Sequence, residues 1–314
     1  MKKLILIDGN AILHRAFHAL PPLTNKDGII VNAVYGFFSM FLKILEDQKP
    51  DFIVVCFDRK APTFRKELYV GYQAHRPKMS EDLGPQIKLT QEILESSRIE
   101  TFGVDGYEAD DLIGTISVQA VSGKLDGKIK VFIVSGDRDL LQLVNHHVKM
   151  IAPVTGLTSM IIFDENTVLQ KYGIKPSQMV DYKALVGDSS DNYPGVAGVG
   201  PKAASSLLEE YKTLGSIYEN LERIKAKNSN LALKLAEGAE AAGLAQKLAG
   251  VVLDVPITLN IEKAGIKHFD KEGLIKEFEK FGFKSLLKRF SPATQISVKA
   301  EVKPKKISEQ MELL

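Results

Sequence analysis

The sequence has one cysteine, Cys56, so an internal disulfide is excluded, and its apolar neighbours mark the thiol as buried and inert in a reducing cytoplasm. It has little net charge. Basic and acidic residues number 41 and 39, a balance of +2 that does not by itself announce a polyanion partner, so any basic footprint must be local. It has no long hydrophobic run: the apolar stretch near Asn32 to Leu42 is well short of the roughly 18–20 residues a membrane span needs. Lys2 and Lys3 before Leu4 to Ile7 imitate a secretory leader, but Asp8 ends the run after four residues, which argues against secretion. The chain also has no G-x-S-x-G elbow, phosphate-binding P-loop or Cys/His pair, so chemistry through a protein nucleophile finds no support. His14 and His18 have the spacing of zinc ligands, yet Arg15 stands where a metalloprotease carries glutamate, and zinc is set aside.

A hydrophobic share of 45% and a charged share of 25% are those of an ordinary globular chain, and 314 residues allow an α/β core with a smaller appended unit. Leu4 to Ile7, Phe52 to Phe57 and Val131 to Ser135 are short, continuous Ile/Val-rich runs, the pattern of strands buried on both faces. Helical patterns over Ala33 to Glu46 and Pro85 to Ser97 alternate with them, which predicts a mostly parallel sheet flanked by helices with right-handed crossovers. Past Asp181 the candidates are all helical: Tyr182 to Val186, Pro201 to Tyr211, Ser216 to Glu222, Leu231 to Glu240 and Glu272 to Phe281. We therefore divide the chain into a core at 1–180 with an insertion at about 60–97, a helical subdomain at 181–290, and a linker or disordered tail at 291–314. The local basic footprint is in the insertion. Between Arg59 and Lys78 six Lys/Arg face Glu67 alone, a net +5, and Phe64, Tyr69 and Tyr72 are interleaved, as in a mobile excursion above the sheet.

The acids are elsewhere. Each of the three strands runs into a carboxylate: Asp8, Asp58, and the pair Asp137 and Asp139. In an open α/β sheet the crevice beyond the carboxyl ends of the strands is where ligands bind, so these side chains are expected to converge. Glu108, Asp110 and Asp111 open the next helix, where the helix dipole alone would favour them, and Asp188 and Asp191 lie in a loop that could be a plain Asx-rich turn. Gathered at one edge, such a set repels itself unless cations neutralise it, and all-oxygen ligation selects Mg²⁺, with Mn²⁺ able to substitute. Two ions about 3.5–4 Å apart could clamp a phosphodiester for in-line displacement. Pro194 to Leu208 adds a turn with Gly195, Gly198 and Gly200, then Pro201 at a first helical position and Lys202 beside it. Exposed N–H groups and a lysine suit a phosphate backbone, although a plain helix-turn-helix connection would have the same residues.

Leu6-Ile-Asp-Gly-Asn10, Phe57-Asp58, Phe64-Arg65, Tyr107-Glu-Ala-Asp-Asp111, Gly136-Asp-Arg-Asp139, Gly187-Asp-Ser-Ser-Asp-Asn192 and the glycine turn occur in an order that resembles the 5′ nuclease domain of bacterial DNA polymerase I, within the flap endonuclease superfamily, over about Met1 to Phe290. The resemblance implies a PIN-like nuclease core with a helical arch and a helix-three-turn-helix subdomain. One Mg²⁺ would be held by Asp8, Asp58, Glu108, Asp110 and Asp137 or Asp139, and a second by Asp139, Asp188 and Asp191, with Asp111 counted among the metal-site acids as well. Arg65 and Arg15 would contact substrate phosphate, Arg76 and Lys78 would replace an arch lysine lost at Gln73, and K⁺ would bind carbonyls of the turn at Gly195 to Lys202. The implied activity is 5′-3′ exonuclease and flap endonuclease hydrolysis of nicked, flapped or RNA-primed DNA in replication and repair, by a cytoplasmic, nucleoid-associated bacterial monomer, and the resemblance is compatible with a polymerase domain after Leu314 in a parent chain. The competing reading is a branched-DNA-binding module without catalysis. An aspartate-nucleophile phosphatase would need Asp-x-Asp after the first strand, where this chain has Asp8-Gly-Asn10.

Overall fold

The computed structural model describes residues 1–76, 78–123, 128–156 and 159–290; the expected tail at 291–314 lies outside them. Six strands form one sheet: β1 (Lys2–Asp8), β2 (Phe52–Cys56), β3 (Glu100–Phe102), β4 (Ile129–Val134), β5 (Val148–Thr155) and β6 (Ser159–Phe163). Their order is β3-β2-β1-β4-β5-β6, parallel throughout except for β6. The chain winds outward from β1 in one direction and then in the other, so the topological switch point lies between β1 and β4. Asp8 is the last residue of β1 there.

Alternation along the strands divides the core in two. Leu4, Leu6, Val54, Cys56, Val131 and Ile133 pack on one face, against the helix Ala109–Ser122 and the helices that follow residue 179. Ile5, Ile7, Ile53, Val55, Phe132 and Val134 pack on the other, where Phe37, Phe38 and Phe41 of the helix Asn32–Gln48 meet them. Both faces are dry, and for this reason the three strands read as unbroken apolar runs. The free thiol of Cys56 is buried on the first face, and burial pushes its pKa up, as expected of an inert side chain.

Three strands escaped the sequence reading. β3 has only three residues, and β6 at the sheet edge leaves Ile161 and Ile162 part-exposed, so neither shows a continuous apolar signal. β5 contains Pro153, which falls past the last residue paired with β4 and so interrupts no bond of that ladder. The expected helix Ser216 to Glu222 is two helices, Leu214–Glu219 and Leu221–Lys227, parted at Asn220. Leu231 to Glu240 is likewise split, into Ser229–Glu237 and Ala239–Ala249 about Gly238.

The helical stretch after residue 180 is not self-contained. Residues 252–259 run along the helix Ala109–Ser122, with Thr115 and Gln119 bonded to the backbone of Val252, Val255, Ile257 and Leu259. The chain then reaches the sheet, where Ile53 N–H donates to Ala264 O, and the helix Lys271–Phe281 buries Phe278 against Phe38 on the opposite face.

The insertion expected at about 60–97 carries two helices, Phe64–Leu68 and Leu83–Ser96, joined among the described residues by turns. The segment is tied down on the sheet's carboxyl edge: Tyr72 is buried, Gln73 N–H donates to Asp191 O, and Asn192 Nδ2 donates to Gly71 O. Thr63, Arg65, Tyr72 and Arg76 pair with Glu108, Asp111 or Asp191 below.

Asp188 and Asp191 are presented by a two-stranded hairpin, β7 (Gly187–Asp188) with β8 (Tyr193–Pro194). Gly187 has φ +80°, and a Cβ on Gly195 would lie 2.3 Å from Gly187 N and 2.4 Å from Leu185 O. Backbone crosses backbone here, so Gly195→Ala is expected to destabilise the protein by about 1–3 kcal/mol in denaturant melts. Gly200→Ala is the control, with nothing within 4 Å of its Cβ and φ −93°, and should shift stability by no more than about 0.5 kcal/mol.

Candidate active site

A cleft of about 1130 Å³ opens over the carboxyl ends of β1, β2 and β4. Asp8, Asp58, Glu108, Asp110, Asp137, Asp139, Asp188 and Asp191 all line it, brought from five separate regions of sequence. Asp8 caps the helix Gly9–Ala19: its Oδ1 accepts from Ala11 N–H at 2.9 Å and its Oδ2 from Ser135 Oγ at 2.7 Å. Asp58 Oδ1 accepts from Ala109 N–H at 2.8 Å, which fixes the start of the next acidic helix beside the second strand. Asp137 Oδ1 accepts from Asp139 N–H at 2.9 Å, so those two carboxylates are held in register just past β4. Asp188 Oδ1 accepts from Ser190 N–H at 2.7 Å, in an Asx turn that shapes the hairpin loop.

The crowding has an electrostatic signature. Burial, then the charge of Asp58, lifts Asp8 from 3.8 to about 7, against the bonds from Ala11 and Ser135. Asp110 is pushed well up by desolvation and then by Asp137, Asp8 and Asp58. Asp188 goes the other way, to about 2: the Lys183 ammonium and the Ser190 bonds outweigh desolvation, the largest single contribution. Between pH 3.8 and about 7 the folded chain therefore keeps a proton on Asp8 that the unfolded chain has released, and the stability this confers is lost as pH rises through that window. Asp188 contributes in the opposite sense, its share present above 3.8 and lost as pH falls toward about 2. The melting temperature of the metal-free protein is accordingly expected to decline from pH 5 to pH 8, checked by thermal melts in EDTA; a rise over that interval would show that the acids do not repel one another.

Several assignments made from sequence meet a different geometry. Asp111 does not line the cleft: it is fully buried and paired with Arg65, whose Nη1 and Nη2 each lie 2.8 Å from a carboxylate oxygen. Arg65 itself is 2% exposed and donates further to the carbonyls of Leu248 and Gly250, so it is a cross-brace with no donor left for a phosphate. Neighbouring helical residues point roughly 100° apart, which sends Asp110 to the cleft and Asp111 to the interior. Arg15 is not among the residues lining the cleft, and its Nε donates to Gly156 O at 3.1 Å in the β5–β6 turn. Arg76 and Lys78 do line the cleft, with Gln73.

The glycine turn stands apart from the cleft. Gly198 has φ +75°, which demands glycine, and its carbonyl lies 3.4 Å from Lys234 Nζ, a side-chain competitor for any monovalent cation there. Gly200 leads into the helix Pro201–Tyr211, with Lys202 exposed in the first turn.

Two residues were given no role from sequence. Tyr72 places its hydroxyl 3.1 Å from Glu108 Oε2 and 3.4 Å from Asp191 Oδ2, joining acids from the two ends of the cleft. Lys183 pairs with both Asp139 and Asp188. The available signal was a lone lysine in the short apolar helix Met179–Val186, five residues before an aspartate.

His14 and His18 also line the cleft, but the group whose ligand atoms lie within 4.8 Å of one another is Asp139, Asp188 and Asp191, all oxygen donors, so these residues fit a hard divalent cation. Among the described residues no helix is long and apolar enough to cross a membrane.

Known proteins agree with this architecture. The model of a 5′-3′ exonuclease N-terminal, resolvase-like domain matches residues 3–173, and that of a 5′-3′ exonuclease C-terminal SAM fold matches 174–272. DNA polymerase I of Caldicellulosiruptor bescii is 43% identical over 91% of this chain, which spans only 33% of that relative. A 5′-3′ exonuclease of Aquifex aeolicus is 36% identical over 95% of this chain and 100% of its own. Among solved structures, the T5 5′-exonuclease with bound divalent metal ions superposes with TM-score 0.65 at 19% identity, covering 91% of this chain and 99% of its own, which supports the fold. The T5 flap endonuclease in a complex with DNA and metal ions has the same TM-score at 18% identity, covering 91% of this chain and 100% of its own. With both of the family's domains matched in sequence across 3–272, the chain belongs to the 5′-3′ exonuclease family.

Proposed function

We propose that this chain is a Mg²⁺-dependent nuclease that hydrolyses phosphodiester bonds near the 5′ ends of nicked, flapped or RNA-primed DNA during replication and repair. The observation that carries the reading is the meeting of eight carboxylates from five sequence regions in one cleft at a sheet's switch point. Asp8, Asp58, Glu108, Asp110 and Asp137 would hold one ion, and Asp139, Asp188 and Asp191 a second. Such ions supply Lewis-acid polarisation of the phosphate and a nucleophile at neutral pH. The chain's own residues do the positioning. Ser135 and Ala11 N–H orient Asp8, Ala109 N–H orients Asp58, and the Asp139 N–H orients Asp137. Arg76 and Lys78, on the cleft wall, supply the positive charge that draws a phosphate backbone toward the acids. Self-repelling acids would be of no use to a purely structural DNA grip, which disfavours the non-catalytic alternative.

With a labelled 5′-flapped duplex and Mg²⁺, the purified chain is expected to release products bearing a 5′-phosphate, and to be inert in EDTA. Undiminished cleavage in EDTA would overturn the metal-dependent reading; binding without cleavage in Mg²⁺ would favour the alternative.

A further inference from the structure

The two groups of acids are neutralised differently. In the first group Glu108 alone is ion-paired, 3.3 Å from the buried Arg65; among the described residues Asp8, Asp58, Asp110 and Asp137 make no ion pair within 4.0 Å. Asp139, Asp188 and Asp191 are all paired. Lys183 Nζ sits between Asp139 and Asp188, 2.5 Å from Asp188 Oδ2, with 13% of its side chain exposed. Arg76 Nη2 lies 2.5 Å from Asp191 Oδ1. The lysine comes from the helix Met179–Val186 and the arginine from the turns after Phe64–Leu68, so two remote elements each deliver one cation to the same three carboxylates.

We propose that Lys183, assisted by Arg76, is a built-in counter-ion that occupies the cation position of the Asp139, Asp188 and Asp191 group, and that a divalent ion binds there by exchange with it. The inference rests on the metal-dependent reading above. Displacement of Lys183 by a divalent ion exchanges one positive charge for two, so the group ends one unit less negative, and because the lysine leaves as an ammonium the exchange needs no proton uptake or release. Before exchange, Lys183 keeps Asp139 and Asp188 together across the gap between the core and the β7–β8 hairpin. On exchange the ammonium must leave, since a like charge within about 4–6 Å of the ion is repelled. Lys183 already lines the cleft, and its release would add a mobile cation there beside Arg76. The group whose four aspartates are unpaired should therefore fill first, and the group containing Lys183 second and more weakly. In this sense Lys183 is a positioning residue that sets the concentration of divalent ion the second site requires.

The test is binding of Mn²⁺ alone to the full chain, followed by electron paramagnetic resonance of the free ion. Wild type is expected to show a tight and a weak class, the weak one abolished by Asp188→Asn with Asp191→Asn. Lys183→Met is expected to tighten the weak class by roughly tenfold while moving the tight class little. A merely structural lysine would predict the reverse, because a loosened hairpin binds metal less well. Unchanged or weaker binding in Lys183→Met overturns the inference while leaving the metal reading in place. Absence of any Mn²⁺ class sensitive to the two asparagine substitutions overturns the inference and the second ion with it, and absence of all Mn²⁺ binding overturns the metal reading as well. If Lys183→Met does not fold, the natural chain still decides: labelling of Lys183 by an amine-reactive ester, read by mass spectrometry, should rise when Mg²⁺ is added, and a constant or falling yield overturns the exchange.

Discussion

Asp137→Asn together with Asp139→Asn is expected to lower cleavage of a 5′-flapped duplex on the order of a thousandfold or more at saturating Mg²⁺. The two side chains sit where the acid groups meet: Asp137 faces the region of Asp8 and Asp110, and Asp139 faces Asp188 across Lys183. Asparagine keeps the volume, and its carbonyl oxygen can still accept the Asp139 N–H bond at position 137. The fold should survive, and relief of like-charge crowding should leave the melting temperature of the metal-free protein at pH 8 unchanged or raised. Loss of rate with an intact melt is the signature of a lost ion-binding function. Wild-type turnover in the double variant would remove the metal assignment, whereas loss of both rate and structure would mean that these acids brace the fold.

Arg65→Met is expected to act in the opposite manner, by unfolding. The guanidinium is bidentate to Asp111, reaches Glu108 Oε2 at 3.3 Å, and donates to Leu248 O and Gly250 O, so it ties the insertion, the helix Ala109–Ser122 and the strap at 248–252 together. Asp111 is spent on the same brace, since Oδ1 also accepts from Val252 N–H and Oδ2 from Glu108 N–H. Removing one member strands a buried charge, at a cost of about 3–5 kcal/mol. That corresponds to a fall in melting temperature of roughly 5–15 °C, measurable without metal or DNA. Arg65→Met combined with Asp111→Leu should recover part of the loss, because the stranded carboxylate is gone, and a double-mutant cycle measures the coupling. A phosphate-contacting arginine would give a different result: a slower enzyme with an unchanged melt.

Local pattern carried much of the architecture. β1, β2 and β4 were legible because a strand covered on both faces must be apolar at every position, and helices such as Pro201–Tyr211 were legible because proline and glycine punctuate their starts. β3, β5 and β6 were not, being too short or too near the edge to need a continuous apolar run. The insertion was read as mobile, with its cations turned to substrate. Thr63, Arg65, Tyr72 and Arg76 instead each pair with an acid donated by a distant segment, Glu108, Asp111 or Asp191, which no local pattern signals.

Strand-end carboxylates separated by some 130 residues needed only the general geometry of an open parallel sheet to be placed together, and the residues themselves determined that much: an acidic cleft whose oxygen donors suit a hard cation, on a fold shared with 5′-3′ exonucleases. Tertiary structure alone decided which acids face the cleft. Asp110 and Asp111 are chemically identical neighbours, and only the position of Arg65 across the helix makes one a candidate ligand and the other a buried brace. The same holds for Lys183, whose role depends on a contact between a helix and a hairpin that no local pattern encodes, because a side chain's partner is set by packing between segments and not by its neighbours in sequence.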